Sequence, residues 1–152
     1  MSLQEKIADD LKDAMKIGES VKVLTLRLVN SSLHNREIEK KGKGKEPSLT
    51  EEEVIEVLTR EAKKRRESIE MYLKGNRKDL AKKEEEELKI ISGYLPAQLS
   101  QEEIEKVVQG VILRTGAKEP KDFGRVMGEA MQELKGKAEG GAVGEIIKNK
   151  LG

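Results

Sequence analysis

The sequence predicts an all-α protein, with an N-terminal helical domain over residues 1–93 and a small C-terminal helical domain over residues 94–152. Three observations carry this expectation. The apolar residues are mostly Leu, Ile, Val, Met and Ala, only Tyr72, Tyr94 and Phe123 are aromatic, and 39% of the chain is charged, a composition of solvated helices rather than sheets. Apolar positions recur every three or four residues, and helix-start and helix-stop signals bracket the segments that carry them. At 36% hydrophobic, 152 residues are not expected to build a thick core.

Ser2 and Glu5 form a capping-box pattern ahead of a helix with Leu3, Ile7, Leu11 and Met15 on one face, ending near Gly18. Ser20 is expected to cap a second helix towards Lys40, with Leu24, Leu28, Val29, Ser32 and Leu33 near its buried side. The segment GKGKEPS then reads as a mobile loop. Thr50 and Glu53 form a second capping box for a long helix carrying Val54, Val57, Leu58, Ala62, Ile69, Tyr72 and Leu73, which Gly75 terminates. Asn76 and Asp79 start a fourth helix through Leu80, Ala81, Glu84, Leu88 and Ile91, antiparallel to the third because the connection is short.

Gly93 and Pro96 mark the strongest internal boundary, since proline pushes Leu95 away from helical dihedrals. Beyond it, Ser100 and Glu103 cap a helix with Ile104, Val107, Val108, Val111 and Ile112, closed by Gly116. Pro120 suits the first position of a helix containing Phe123, Met127, Ala130, Met131 and Leu134. A last helix carries Val143, Ile146, Ile147 and Leu151. A unit of about fifty residues is marginal by itself.

Thirty basic residues balance 29 acidic ones for a net charge of +1, so no global field holds a nucleic acid or a membrane, and any electrostatic site is local. The chain has no cysteine, which excludes disulfides, thiol catalysis and thiolate-bound zinc. With no apolar signal-peptide core and no run of about 18 apolar residues, a cytoplasmic protein without membrane contact is expected. The single histidine, His34, lacks a second histidine at metal-ligand spacing, and Ser31 and Ser32 have no visible activating partner. The Glu84–Glu87 run and the stretch Lys63, Lys64, Arg65 and Arg66 read as solvated helix surface. Lys40, Lys41, Lys43 and Lys45 either steer an anionic partner or keep their loop soluble. Neither GKGKEPS nor GKAEGG completes a phosphate-binding loop. No catalytic residue, metal or cofactor is assigned.

The tail is the best candidate for a site. Lys135 and Lys137 flank Gly136 just before a glycine pair and a helix start, a pattern that suits phosphate. Lys121, Arg125, Lys148 and Lys150 extend it, while Glu129, Glu139 and Glu145 oppose it, and a tight interhelical turn with ordinary helix-end lysines accounts for the same letters.

YLPAQLS at Tyr94–Ser100 and VMGEAMQELKGKAEGGAVGEIIKNKL at Val126–Leu151 resemble the characteristic tail of the GatB/YqeY family. RLVNSSLHNREI at Arg27–Ile38 and REAKKRRES at Arg60–Ser68 extend the resemblance to stand-alone YqeY-like proteins over nearly the whole chain. Gly124, Val126, Met127, Met131, Gly136, Lys137 and Ala138 match the tail motif, with Val143, Ile147 and Leu151 completing it, while Glu139 stands where the family commonly has aspartate. The resemblance implies an all-helical protein related to the tail of the tRNA-dependent amidotransferase B subunit, a tail that helps hold misacylated tRNA. It therefore implies a non-catalytic tRNA-binding or tRNA-associated helper, not an enzyme by itself, with Lys121, Arg125, Lys135, Gly136, Lys137, Lys148 and Lys150 as RNA-binding candidates. Two alternatives stand beside it. One is a protein-interaction module, which an exposed apolar patch containing Met127 or Leu134 would favour. The other is an amidotransferase component, a carbon–nitrogen ligase with glutamine as amide donor, active only in a complex.

Overall fold

The computed structural model describes all 152 residues. Its elements are α1 (Leu3–Ile17), α2 (Ser20–Gly42), α3 (Glu51–Lys74), α4 (Lys78–Ser92), α5 (Gln101–Thr115), a 3-10 turn at Pro120–Asp122, α6 (Phe123–Leu134) and α7 (Gly140–Leu151), with no strand. The protein is thus all-α, with a larger N-terminal and a smaller C-terminal helical part. It divides into two compact units, Met1–Leu95 and Pro96–Gly152. Tyr94 and Leu95 belong to the first because both pack on its core and the Tyr94 hydroxyl donates to Asp10 at 2.6 Å. Burial, and then the Asp10 carboxylate, push that phenol well above its ordinary pKa.

In the first unit, Ser2 and Thr50 each accept the N3 amide while Glu5 and Glu53 return to the cap backbone, so both capping boxes form. Gly18, at φ 85°, closes α1 with its amide on the Ala14 carbonyl at 2.9 Å. The helix beyond it begins at Ser20 itself, after Glu19, with no side-chain cap. Between α3 and α4 the left-handed residue is Asn76, at φ 58°, rather than Gly75. Its amide donates to Leu73 O at 3.2 Å and that of Arg77 to Tyr72 O at 2.8 Å, a Schellman closure with asparagine in the glycine place. Accordingly α4 starts after Arg77, not at Asn76.

The core of this unit joins Ile7, Leu26, Val29, Leu33, Val54, Val57, Leu58, Ala62 and Ile91. Several residues expected on buried faces lie outside: Met15, Leu24, Leu28 and Leu73 are 42–50% exposed. In α2 the buried stripe runs instead through Thr25, Leu26, Val29 and Leu33, and the Thr25 hydroxyl is satisfied by the Val21 carbonyl at 2.8 Å. Leu24 and Leu28 obey the same four-residue spacing one position earlier, so periodicity alone did not separate the two faces.

In the second unit, Ser100 caps α5 and Gly116, at φ 72°, ends it. Pro120 opens the 3-10 turn, and α6 follows only at Phe123, so the proline does not sit at the start of the α-helix. Val108, Val126, Leu134, Val143 and Ile147 form the centre of a separate core, with Met127 and Met131 packed against it.

Candidate functional site

The loop between α6 and α7 is built by backbone geometry. Gly136 adopts φ 78°, a conformation costly for other residues. The Lys137 and Ala138 amides both donate to Leu134 O, at 2.8 and 3.1 Å, wrapping the end of α6. The carbonyls on the outside of the turn are taken by the segment before α5. Gln98 Nε2 donates to Gly136 O at 2.7 Å, and the Leu99 amide donates to Lys137 O at 2.9 Å. The two tail motifs, YLPAQLS and LKGKAEGG, therefore meet here. Gly136 is buried, while Lys135 and Lys137 are exposed on either side of it. Beyond them α7 opens at Gly140 with no side-chain cap from Glu139.

The seven sequence candidates do not form one patch. Lys121, Arg125, Lys148 and Lys150 fall at the end of the α6–α7 hairpin opposite the turn. The 12 residues of α7 put the two ends about 18 Å apart. At that far end Lys121 pairs with Glu119 at 3.1 Å and Arg125 with Asp122 at 3.4 Å. The Asp122 carboxylate also accepts the Lys118 and Glu119 amides, at 3.1 and 3.2 Å, which lower its pKa. Lys121 and Arg125 are thus partly neutralised, whereas Lys148 and Lys150 occupy the last turn of α7, where cations suit the helix dipole. Leu134 is fully buried and Met127 packs on the core, so neither contributes to an exposed apolar patch.

The first unit holds a buried polar constellation at Arg65 and Glu87, where solvated helix surface is expected from the charge runs. Arg65 and Glu87 are 8% and 6% exposed. Arg65 Nη1 donates to Glu61 Oε2 at 3.1 Å, and its Nε lies 3.6 Å from Glu87 Oε2 without forming a hydrogen bond. The Ser32 hydroxyl donates to the other Glu61 oxygen, so this helix serine binds across to α3 rather than locally. Burial first, and then the neighbouring Glu84, raise the Glu87 carboxyl above its ordinary pKa. Beside this cluster α2 and α3 face each other across a cleft of about 200 Å³, lined by Ser32, Asn35, Arg36 and Glu39 from one helix and Val57, Arg60, Glu61 and Lys64 from the other. Both sets follow the i, i+3, i+4, i+7 spacing of a helix face, and only Val57 is apolar. That polar repeat was the available sequence signal, carried in large part by the motifs RLVNSSLHNREI and REAKKRRES.

Lys40 is committed too. It donates to Ser48 O at 2.6 Å and to Glu53 Oε1 at 2.8 Å, pinning the segment that had read as a mobile loop. Lys40 and the Thr50 backbone together hold the Glu53 carboxyl down to about 2.

This all-helical, two-unit chain with a stitched tail turn belongs to the Yqey-like protein family, whose model matches residues 4–151. Among its relatives is "Altered inheritance of mitochondria protein 41, mitochondrial" of Vanderwaltozyma polyspora, 40% identical over 86 residues, 57% of this chain and 44% of that protein. An uncharacterised protein of Schizosaccharomyces pombe is 35% identical over 99 residues, 65% of this chain and 76% of the relative. A glutamyl-tRNA(Gln) amidotransferase subunit of Methanocaldococcus jannaschii is 40% identical over 57 residues, 35% of this chain and 9% of the archaeal protein. The chain spans less than half the length of the mitochondrial relative from V. polyspora. These relatives overturn the cytoplasmic expectation, because a mitochondrial designation recurs across the fungal proteins. The absence of cysteine behind that expectation does not discriminate between reducing compartments. No helix is long and apolar enough to cross a membrane.

Proposed function

We propose that this protein is a non-catalytic, tRNA-associated accessory protein that contacts RNA through its C-terminal unit. The observation that supports this most is the likeness to the archaeal glutamyl-tRNA(Gln) amidotransferase subunit, together with a stitched α6–α7 turn flanked by the exposed residues Lys135 and Lys137. The turn's carbonyls are consumed internally, so a partner meets lysine side chains and the opening amides of α7, an arrangement suited to phosphate rather than to base edges. Lys148 and Lys150, at the other end of α7, give a second contact along the same helix. The archaeal match spans 9% of that relative, so amide transfer does not come across with it.

Fluorescence anisotropy of the full chain against folded bulk tRNA at several salt concentrations tests this reading, with duplex RNA as control. The Lys135→Ala, Lys137→Ala double variant is expected to bind tRNA about tenfold more weakly and to flatten the salt slope by roughly two. Equal, weak binding of every RNA by both proteins would remove the proposal.

A further inference from the structure

The α2–α3 cleft is unusual in its balance of hydrogen-bonding groups. Where two helices face each other at i, i+3, i+4, i+7 spacing, an apolar seam is the ordinary arrangement. At this cleft the facing residues are polar apart from Val57, and its two carboxylates are already paired. The Glu61 carboxylate takes the Ser32 hydroxyl and Arg65 Nη1. Glu39 accepts from Lys43 at 3.1 Å, and this bond, with Arg36 at 3.7 Å, holds its carboxyl below the usual range. The donors are less fully engaged. Arg60 and Asn35 are exposed at the cleft and make no hydrogen bond within the chain, although the Arg60 charge adds to the pull on the Glu39 carboxyl. Arg36 Nε is buried without an acceptor although its Nη atoms lie 3.7–3.9 Å from Glu39, Glu53 and Glu56, and Lys64 approaches Glu61 only to 3.9 Å. A cleft whose two carboxylates are already paired, and in which Arg60 and Asn35 keep donors without a hydrogen-bond acceptor, favours an acceptor-rich ligand.

We propose that this cleft binds a phosphate-class oxyanion, with Arg60 and Asn35 as direct ligands, Lys64 as supporting charge and the Arg36 guanidinium in its wall. A tetrahedral anion presents oxygens to α2 and α3 together, whereas a planar carboxylate offers two oxygens in one plane. The phosphate comes either from a mobile anion or from a nucleic-acid backbone, two sources with the same chemistry. The site lies in the first unit and does not depend on the RNA reading of the tail.

The test is a 1H–15N NMR titration of the full chain at constant ionic strength, run with inorganic phosphate and separately with the dinucleotide UpU. The readouts are the Asn35 side-chain amide and Arg60 Nε. Saturable shifts at both groups are expected with at least one probe. Saturation by phosphate alone identifies a mobile anion, and saturation by UpU identifies a backbone phosphate. Arg60→Gln, an exposed change whose spectrum reports an intact fold, is expected to weaken binding about tenfold. Lys63→Gln, which removes an equal charge from an exposed neighbour outside the cleft lining, is expected to leave it unchanged. Shifts that rise linearly without saturation for both probes, or that respond equally to the two substitutions, overturn the proposal.

Discussion

Arg65 is buried between two carboxylates, and its removal leaves Glu61 and Glu87 without their shared guanidinium. Arg65→Ala is expected to cost about 3–5 kcal/mol in urea denaturation, the scale of an uncompensated buried charge. Glu87→Gln is expected to be far milder, because burial already disfavours the ionised carboxyl there. The sign of its pH dependence follows from a folded-state pKa that is raised. Wild-type stability from this group is fully present below the ordinary carboxylate value of about 4.3 and declines as pH rises through the folded value. The glutamine variant therefore gains on wild type as pH rises from about 4 towards neutrality. Glu53 behaves oppositely. With its carboxyl held at about 2, its contribution is present above the ordinary value and lost as pH falls towards 2. The gap between wild type and Glu53→Gln is thus expected to close between about pH 4 and pH 2, and urea midpoints across that range check both signs.

At the scale of elements, helix ends were legible in the sequence wherever the signal is local. Ser2 with Glu5, Thr50 with Glu53, Gly18 and Gly116 all act within a few residues of themselves, and each performs the expected role. Gly75 caps α3 as expected, but the left-handed residue that follows is Asn76, which the sequence does not mark because asparagine both caps helix starts and adopts left-handed dihedrals. Faces were less legible than ends. Leu24 and Leu28 share a helical repeat with each other as Leu26, Val29 and Leu33 do, and only the partner helices decide which stripe is covered. The same blindness hid Glu87, Arg65 and the α2–α3 cleft, since a charge run on one helix carries no record of what packs over it. In the tail, letters and structure agree on the turn but divide the candidates between its two ends. Gly136 sets the geometry of that turn. Gly136→Ala is expected to destabilise the second unit by about 1–2 kcal/mol by forcing a side chain into φ 78°. Loss of amide protection at Leu99, whose donor rests on Lys137 O, is the local signature in hydrogen exchange.

For the molecule as a whole, apolar burial is divided between two clusters that share no residue, one centred on Leu26, Leu58 and Ile91 and the other on Val126, Leu134 and Ile147. A chain that is 39% charged has few apolar residues, and it distributes them between two small cores rather than one large one. Each core is then expected to carry its own cooperativity, so that damage to one is felt where its own residues pack. Leu58 is fully buried, so Leu58→Ala removes a core side chain worth about 2–5 kcal/mol. The expected outcome by native-state hydrogen exchange is faster exchange throughout α1, α2, α3 and α4, with protection in α5, α6 and α7 retained. Leu134→Ala is expected to give the mirror image, and because the second unit is the smaller, the same size of loss brings it nearer to unfolding at ordinary temperature. A matched fall in protection across all seven helices from either substitution would show one cooperative unit instead of two. In that case a substitution in the tail or in the α2–α3 cleft would act on both sites at once, and only binding measured on variants of proven fold would separate them.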